Sequence, residues 1–290
     1  MEYFAVSSIE DACSLLAERS GSRILAGGTD LLVQMRAGLA TPRDIIDIKH
    51  IPGLCAISLD EKGLTIGAAA PAQSITERDE VAALYPGLVE AIDLIGSTQI
   101  QGRCSVGGNL CNASPAADTV PALIANGTLC NIAGPGGERQ LPVEAFNSGP
   151  GQNCLAQGEF LISLFVPRPA ARTADAYLRF IPRTEMDIAV VGAGVSISLN
   201  EAGQCSAARV AIGAVAPTAL LVEEAAAALI GQQPGEPQLQ ALAEACRAAA
   251  KPISDKRGSA DYRRQVVGVM ARRAAEAAVQ RASSGTGGEA

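Results

Sequence analysis

Ile9, Ala12, Cys13 and Leu16 recur at the spacing of one helical face, behind Ser7 and Glu10 in a capping-box arrangement, so residues 8–19 are predicted as an amphipathic helix that Gly21 ends. Residues 24–26 form a short apolar run that enters Gly27-Gly28, residues 30–37 carry a helical pattern, and 45–48 read as a second strand after Thr41-Pro42. This opening segment has a βα texture. From about residue 54 the runs shorten between Gly and Pro: a strand in LTIGAAA, a helix near 88–95, a Gly/Asn/Ser-rich stretch over 96–119, then strands in TLCNIA and FLISLFV. Such a mixture predicts an α+β unit ending near Pro167-Arg168-Pro169. Beyond it, IAVVGAGVSISL and AARVAIGAVA read as two strands joined in a hairpin through 200–205. Ala-rich helical patterns follow at 218–230, 237–250 and 259–281, and SSGTGGEA reads as a disordered tail.

Composition narrows the function classes. With 290 residues, 48% of them hydrophobic and 18% charged, the chain can bury a real core and is long enough for about two domains. A net charge of −7 argues against a sequence-independent grip on nucleic acid or an anionic membrane. The start MEYFAVSSIEDACSLL has neither the basic region nor the apolar run of a signal peptide, so the expected location is cytoplasmic, at most held to the inner face of the membrane through partners. The eight cysteines show no C-x-x-C and no Cys/His ligand spacing, so they read as small buried hydrophobes rather than as a zinc or iron–sulfur site. Among them only Cys104 and Cys111, which border the second glycine stretch, leave a redox role open. His50 is the only histidine and falls in a turn after a strand, without a visible helper for nucleophilic or metal chemistry.

Two stretches carry candidate chemistry. In Leu25-Ala26-Gly27-Gly28-Thr29-Asp30 a strand turns through paired glycines into a helix start, where backbone N–H groups can form a concave anion site suited to a pyrophosphate. The plain alternative is a tight turn in which glycine only supplies an unusual φ. The second stretch runs from Ser105-Val106-Gly107-Gly108-Asn109 to Ser114-Pro115-Ala116-Ala117-Asp118. Its glycine pair, short polar side chains and single carboxylate suit backbone wrapped around a polar ligand, with Asp118 for a ribose or ribityl hydroxyl. The alternative there is an ordered interdomain loop.

These stretches, LAGGTDLL and S-V-G-G-N-L-x-N-A-S-P-A-A-D-T-V-P-A-L, resemble the paired FAD-binding motifs of the medium, flavin-carrying subunit of the molybdenum hydroxylases. That family includes aerobic carbon monoxide dehydrogenase and xanthine dehydrogenase. The segment from Phe180 to Val191, FIPRTEMDIAVV, resembles the family's entry into its C-terminal domain. Order, spacing and length all agree. The resemblance implies an α+β fold: a two-subdomain FAD-binding fold of the vanillyl-alcohol-oxidase type over 1–54 and 55–170, then a C-terminal domain over 171–282 of a three-stranded antiparallel sheet with a helical bundle, and a tail at 283–290. It also implies noncovalent FAD, and as partners a large subunit with molybdenum and molybdopterin cytosine dinucleotide and a small subunit with two [2Fe–2S] clusters, assembled as a dimer of heterotrimers. In such an assembly electrons from a substrate oxidised at molybdenum pass through the clusters to FAD and on to an external acceptor, and the flavin subunit supplies no catalytic residue.

Carried over by motif position, Ala26, Gly27, Gly28, Thr29, Asp30 and Leu31 would wrap the FAD pyrophosphate and adjoining groups, with Ser105, Gly107, Gly108 and Asn109 as the facing wall. Ser114 and Asp118 would reach ribityl or phosphate-side oxygens, and Leu161 would line one end of the cofactor. Arg179 and Arg183 stand either beside the flavin, favouring its reduced anion, or in surface salt bridges. Ile95 departs from the aromatic that some relatives place over the ring. Thr29-Asp30 departs from the His-Ser pair frequent in carbon-monoxide-type members, and the Cys-rich insertion of one subgroup is not seen. Two other classes stay open at this point: a stand-alone flavin oxidase of the same superfamily, and an interaction protein that has kept the fold without FAD.

Overall fold

Three short strands, β1 (Tyr3–Ala5), β2 (Arg23–Leu25) and β3 (Ile45–Asp47), form a parallel sheet in the order β1-β3-β2 in the computed structural model, which describes residues 1–183 and 186–284. Parallel strands need long crossovers, and α1 (Ile9–Glu18) and α2 (Leu31–Arg36) lie within them. The central strand β3 is buried along its whole length, Asp47 included. The cap of α1 is Ser8 rather than Ser7: its hydroxyl accepts from the Asp11 N–H at 3.1 Å. Ser8 is the residue in extended backbone immediately before the first helical turn, which is where a cap must stand.

A five-stranded antiparallel sheet follows, ordered β4-β5-β10-β6-β7. Its strands are β4 (Ile57–Leu59), β5 (Gly63–Gly67), β6 (Leu129–Gly134), β7 (Gly137–Pro142) and β10 (Phe160–Pro167). Between β5 and β6 run α3 (Ala72–Thr76), α4 (Asp79–Leu84), α5 (Pro86–Asp93), α6 (Thr98–Gln101), α7 (Val106–Cys111) and α8 (Thr119–Ala125). The Gly/Asn/Ser-rich stretch is therefore partly helical, in turns too short to show a period. A small ribbon of β8 (Asn147–Gly149) and β9 (Gln152–Asn153) precedes β10, which carries a register shift between Leu161 and Ser163.

The C-terminal sheet has four antiparallel strands, not three: β11 (Thr173–Phe180), β12 (Val191–Leu199), β13 (Cys205–Gly213) and β14 (Leu220–Leu221). The helical pattern at 218–230 divides into β14 and the short α9 (Glu223–Ala227), because the edge of β13 still offers ladder partners. Ala211 pairs with Leu221, and the Val222 N–H donates to the Val210 carbonyl at 2.8 Å. Helix α11 (Ala260–Ser283) covers the sheet, and α10 (Glu236–Ala249) packs on α11 and α9. The inner face of α11 is built from Ala271, Ala274, Ala275, Ala278 and Ala282, all fully buried against β11 and β12. This helix runs on through Ser283 and is capped at Ser284, so the first two residues of the expected tail prolong it; residues 285–290 lie outside the described residues.

One apolar cluster joins the parallel sheet to the five-stranded sheet, and a second fills the C-terminal layers. The two are tied through Asp175 on β11. Its buried carboxylate accepts from the N–H groups of Gly87 and Leu88, each at 2.9 Å, and from Asn126 Nδ2 at 2.7 Å. Beside it Arg281 of α11 pairs with Glu90 of α5.

Candidate functional site

The end of β2 leads straight into Ala26, and the chain turns at Gly28, whose φ of +77° is open to glycine at little cost. Gly27 is set against the second glycine stretch so closely that a Cβ there would lie 1.8 Å from the Arg103 carbonyl oxygen. The two stretches therefore touch, although 76 residues separate Gly27 from Arg103 along the chain. Between them opens a cleft of about 530 Å³. One wall is Ala26, Gly27, Gly28, Thr29, Asp30 and Leu31; the facing wall is Ser105, Gly107, Gly108 and Asn109, with Ile95 and Leu161 also in the lining.

The chemistry of these walls is that of an anion cradle made of backbone. Among the described residues, no hydrogen bond is taken up by the N–H groups of Gly27, Gly28, Thr29, Asp30 or Leu31, nor by that of Gly107. Amide donors left unpaired at a cleft call for a ligand or water to satisfy them. Arg23 is the one basic residue of the lining, so side-chain charge contributes little and the amides dominate. Gly107 must be glycine for packing, since a Cβ would meet the Ala68 carbonyl oxygen at 2.4 Å. Gly108, by contrast, would meet only Ser105 Oγ, at 3.0 Å. Ser105 is held by its own role as cap of α7, its hydroxyl accepting from the Gly108 N–H at 2.9 Å. Asn109 braces the wall from behind, its Oδ1 accepting from the Thr119 hydroxyl at 2.6 Å.

Four predicted residues are not brought into the lining. Ser114 turns back on its own backbone, accepting from the Ala116 N–H at 3.3 Å. Asp118 and Arg179 pair with each other at 3.0 Å in a neighbouring buried cluster that includes the Tyr177 hydroxyl. Burial pushes the Asp118 carboxyl up to about 6 against the pull of Arg179. Arg183 lies apart from all of them, at the surface with Asp187. Partial burial also raises the carboxyl of Asp30 in the cleft. Cys104 and Cys111 reach the lining as thiols, burial pushing them up to about 11 and about 12, which leaves no thiolate for redox chemistry at neutral pH.

A third wall had no counterpart in the sequence reading beyond Leu161. Residues 153–160 pass along the cleft from β9 to the start of β10, and Gln157 donates to the Leu16 carbonyl at the end of α1. Gly151 and Gly158, with φ of +68° and +86°, are the signal that could have marked it. Gln34 of α2 donates to Asn112 Oδ1 at 3.0 Å and clasps the first wall to the second.

A parallel βα unit set against an antiparallel sheet, with unpaired amides facing one cleft, defines a protein that binds a phosphate-bearing cofactor. Residues 1–169 match the family described as the FAD binding domain in molybdopterin dehydrogenase, and residues 176–278 match the CO dehydrogenase flavoprotein C-terminal domain. The chain belongs to this family of flavin-binding medium subunits. It is 34% identical to the carbon monoxide dehydrogenase medium chain of Hydrogenophaga pseudoflava over 96% of each chain. It is 31% identical to the xanthine dehydrogenase FAD-binding subunit of Escherichia coli O157:H7, over 96% of this chain and 95% of that one. A chain of the solved structure of carbon monoxide dehydrogenase from Hydrogenophaga pseudoflava, in a form that lacks the Mo-pyranopterin moiety of the molybdenum cofactor, superposes with a TM-score of 0.93 at 35% identity, over 97% of this chain and 98% of that one.

Proposed function

We propose that this chain is the FAD-carrying electron-transfer subunit of a heterotrimeric molybdenum hydroxylase. The observation that carries the reading is the row of unpaired amides from Gly27 to Leu31 across the cleft from that of Gly107, because a pyrophosphate is a ligand whose oxygens such donors suit. Ala26, Gly27, Gly28, Thr29, Asp30 and Leu31 would hold one side of the cofactor and Ser105, Gly107, Gly108 and Asn109 the other. Leu161 and Ile95 would supply apolar surface for a flat ring. FAD held there would supply one- and two-electron redox chemistry that no side chain of the cleft provides. The chain's own task is to bind, orient and partly shield that group. With Asp30 and Glu159 the only carboxylates in the lining, and Glu159 paired to Arg139 at 2.7 Å, no acid–base constellation is set up for an organic substrate.

On this reading the substrate is chosen in a large molybdopterin subunit, and a small subunit with two [2Fe–2S] clusters delivers the electrons. The assembly is a dimer of heterotrimers that hands electrons to an external acceptor. The division of the chain near 54 and 170 belongs to the same reading, supported at 170 by a second apolar cluster drawn entirely from residues beyond that point. Among the described residues no group of His, Cys, Asp and Glu is placed to hold a metal ion, so the iron and molybdenum would come with the partners.

The test is a gentle affinity purification of the tagged chain from its native host, with a visible spectrum, metal content and partner masses. Flavin with iron, molybdenum, one large and one small partner is the expected result. Flavin on a solitary chain without either metal would overturn it.

A further inference from the structure

The parallel sheet does not stop serving the cleft where its strands end. β2 and β3 pair in register up to Leu25 and Asp47, and one further rung follows as the Ile48 N–H donates to the Leu25 carbonyl at 3.3 Å. The next backbone carbonyl of the first strand, Ala26, has no backbone donor to meet. Its partner is the Lys49 ammonium, at 3.0 Å. Lys49 reaches that point because it is fixed at both ends. Its own N–H donates to Asp47 Oδ1 at 3.0 Å, and its Nζ donates to the same oxygen at 2.7 Å. Asp47 is itself held on its other side by the Tyr3 hydroxyl from β1, and these donors keep its carboxyl below the ordinary range against the cost of burial.

The consequence lies in a single peptide unit. The carbonyl of Ala26 and the N–H of Gly27 belong to the same planar group and point in opposite directions. A cation that draws the carbonyl back toward β3 therefore turns the first unpaired amide of the cradle the other way. It also polarises the peptide and so strengthens that N–H as a donor. The turn is crowded as well, since the Arg103 carbonyl lies where a Gly27 Cβ would be, which leaves the peptide little other freedom.

We propose that Lys49 is a positioning residue for the cofactor pyrophosphate, acting through the Ala26–Gly27 peptide. This rests on the reading of the cleft as the FAD site and deepens it. Lys49 makes no contact with the cofactor in this proposal; it sets the first donor that does.

The experiment uses the full chain stripped of flavin and titrated with FAD, and with ADP as the probe of the pyrophosphate end. Three variants are compared: Lys49→Met, Lys49→Arg and Tyr3→Phe. The last weakens the Asp47 cluster without touching Ala26. The expected result is that Lys49→Met loses about tenfold or more in affinity for FAD and ADP alike, the scale of a hydrogen bond to a charged group. Lys49→Arg should recover most of that loss, and Tyr3→Phe should bind FAD like the unsubstituted chain even where its melting temperature falls. The phosphorus resonances of bound FAD should move in Lys49→Met and stay in place in Tyr3→Phe. Affinity of Lys49→Met within twofold of the unsubstituted chain would overturn the proposal. So would a loss in Tyr3→Phe equal to that in Lys49→Met, since the effect would then be one of stability. Failure of the unsubstituted chain to bind FAD at all is a different result, and would strike the reading of the cleft itself.

Discussion

Asp118 and Arg179 form an ion pair of 3.0 Å with side chains only 12% and 4% exposed, and they do so beside the cleft rather than in its lining. Arg179 also donates to the Leu94 carbonyl at 2.9 Å, so the pair fixes the chain immediately before Ile95, which does face the cleft. Because burial pushes Asp118 up to about 6, the folded chain holds this proton more tightly than the unfolded chain, where the group titrates near 3.9. Its contribution is therefore most favourable in acid and declines as pH rises from about 4 through 6. Asp118→Asn removes that titration. In urea unfolding across pH 4 to 7, the stability of the unsubstituted chain relative to Asp118→Asn should fall with rising pH by on the order of 2 kcal/mol. A pH-independent difference would show that Arg179 keeps the carboxylate charged throughout.

Asp175 carries a heavier structural load, since one carboxylate satisfies the Gly87 and Leu88 amides and the Asn126 side chain at once. Asp175→Ala leaves the Gly87 and Leu88 amides buried without partners, while Asn126 keeps the Ala122 carbonyl, and should cost about 3 kcal/mol or more. Asp175→Asn, which keeps one acceptor, should cost less. Urea midpoints give the order directly.

The two glycine stretches should separate folding from flavin binding. Gly27→Ala places a Cβ 1.8 Å from a carbonyl oxygen, so both the contact between the walls and flavin content should be lost. Gly108→Val meets only the Ser105 hydroxyl and should leave far-UV circular dichroism unchanged while the flavin-to-protein ratio drops, because Gly108 lines the cleft. A Gly108→Val chain with full flavin content would place the cofactor elsewhere.

Thiol reactivity should follow exposure. Cys55 is exposed, whereas burial pushes Cys104 up to about 11 and Cys111 up to about 12. A brief maleimide treatment at pH 7.5, read by peptide mass spectrometry, should modify Cys55 first and leave Cys104 and Cys111 largely intact. Early labelling of Cys111 would mean that the cleft admits reagent and stabilises a thiolate there.

The sequence made the two principal walls legible because each is a run of contiguous residues in which glycine and short polar side chains are the chemistry. It made the order of strands and helices legible wherever a period was long enough to read, as in α1, β12 and α10. The wall from 153 to 160 was not legible, since its polar residues serve the cleft only after Gln157 has docked on the end of α1, a contact 141 residues distant in sequence. Asp118 misled for a related reason. Its position after a glycine-rich stretch pointed to a ligand, whereas its nearest cation, Arg179, comes from β11, and pairing across 61 residues leaves no local trace. β14 was missed because two leucines beside an Ala-rich segment carry no period of their own; the free edge of β13 makes them a strand.

The alanine face of α11 reverses the usual direction of mutational risk. In most cores the danger is truncation, because a large side chain leaves a hole when it is removed. Where Ala271, Ala274, Ala275, Ala278 and Ala282 bring the helix backbone down onto β11 and β12, there is almost nothing to remove and no room to add. Growth by a pair of methyl groups is the injury this layer cannot absorb, so drift toward valine or leucine, conservative by chemistry, is what selection on the C-terminal module has to resist.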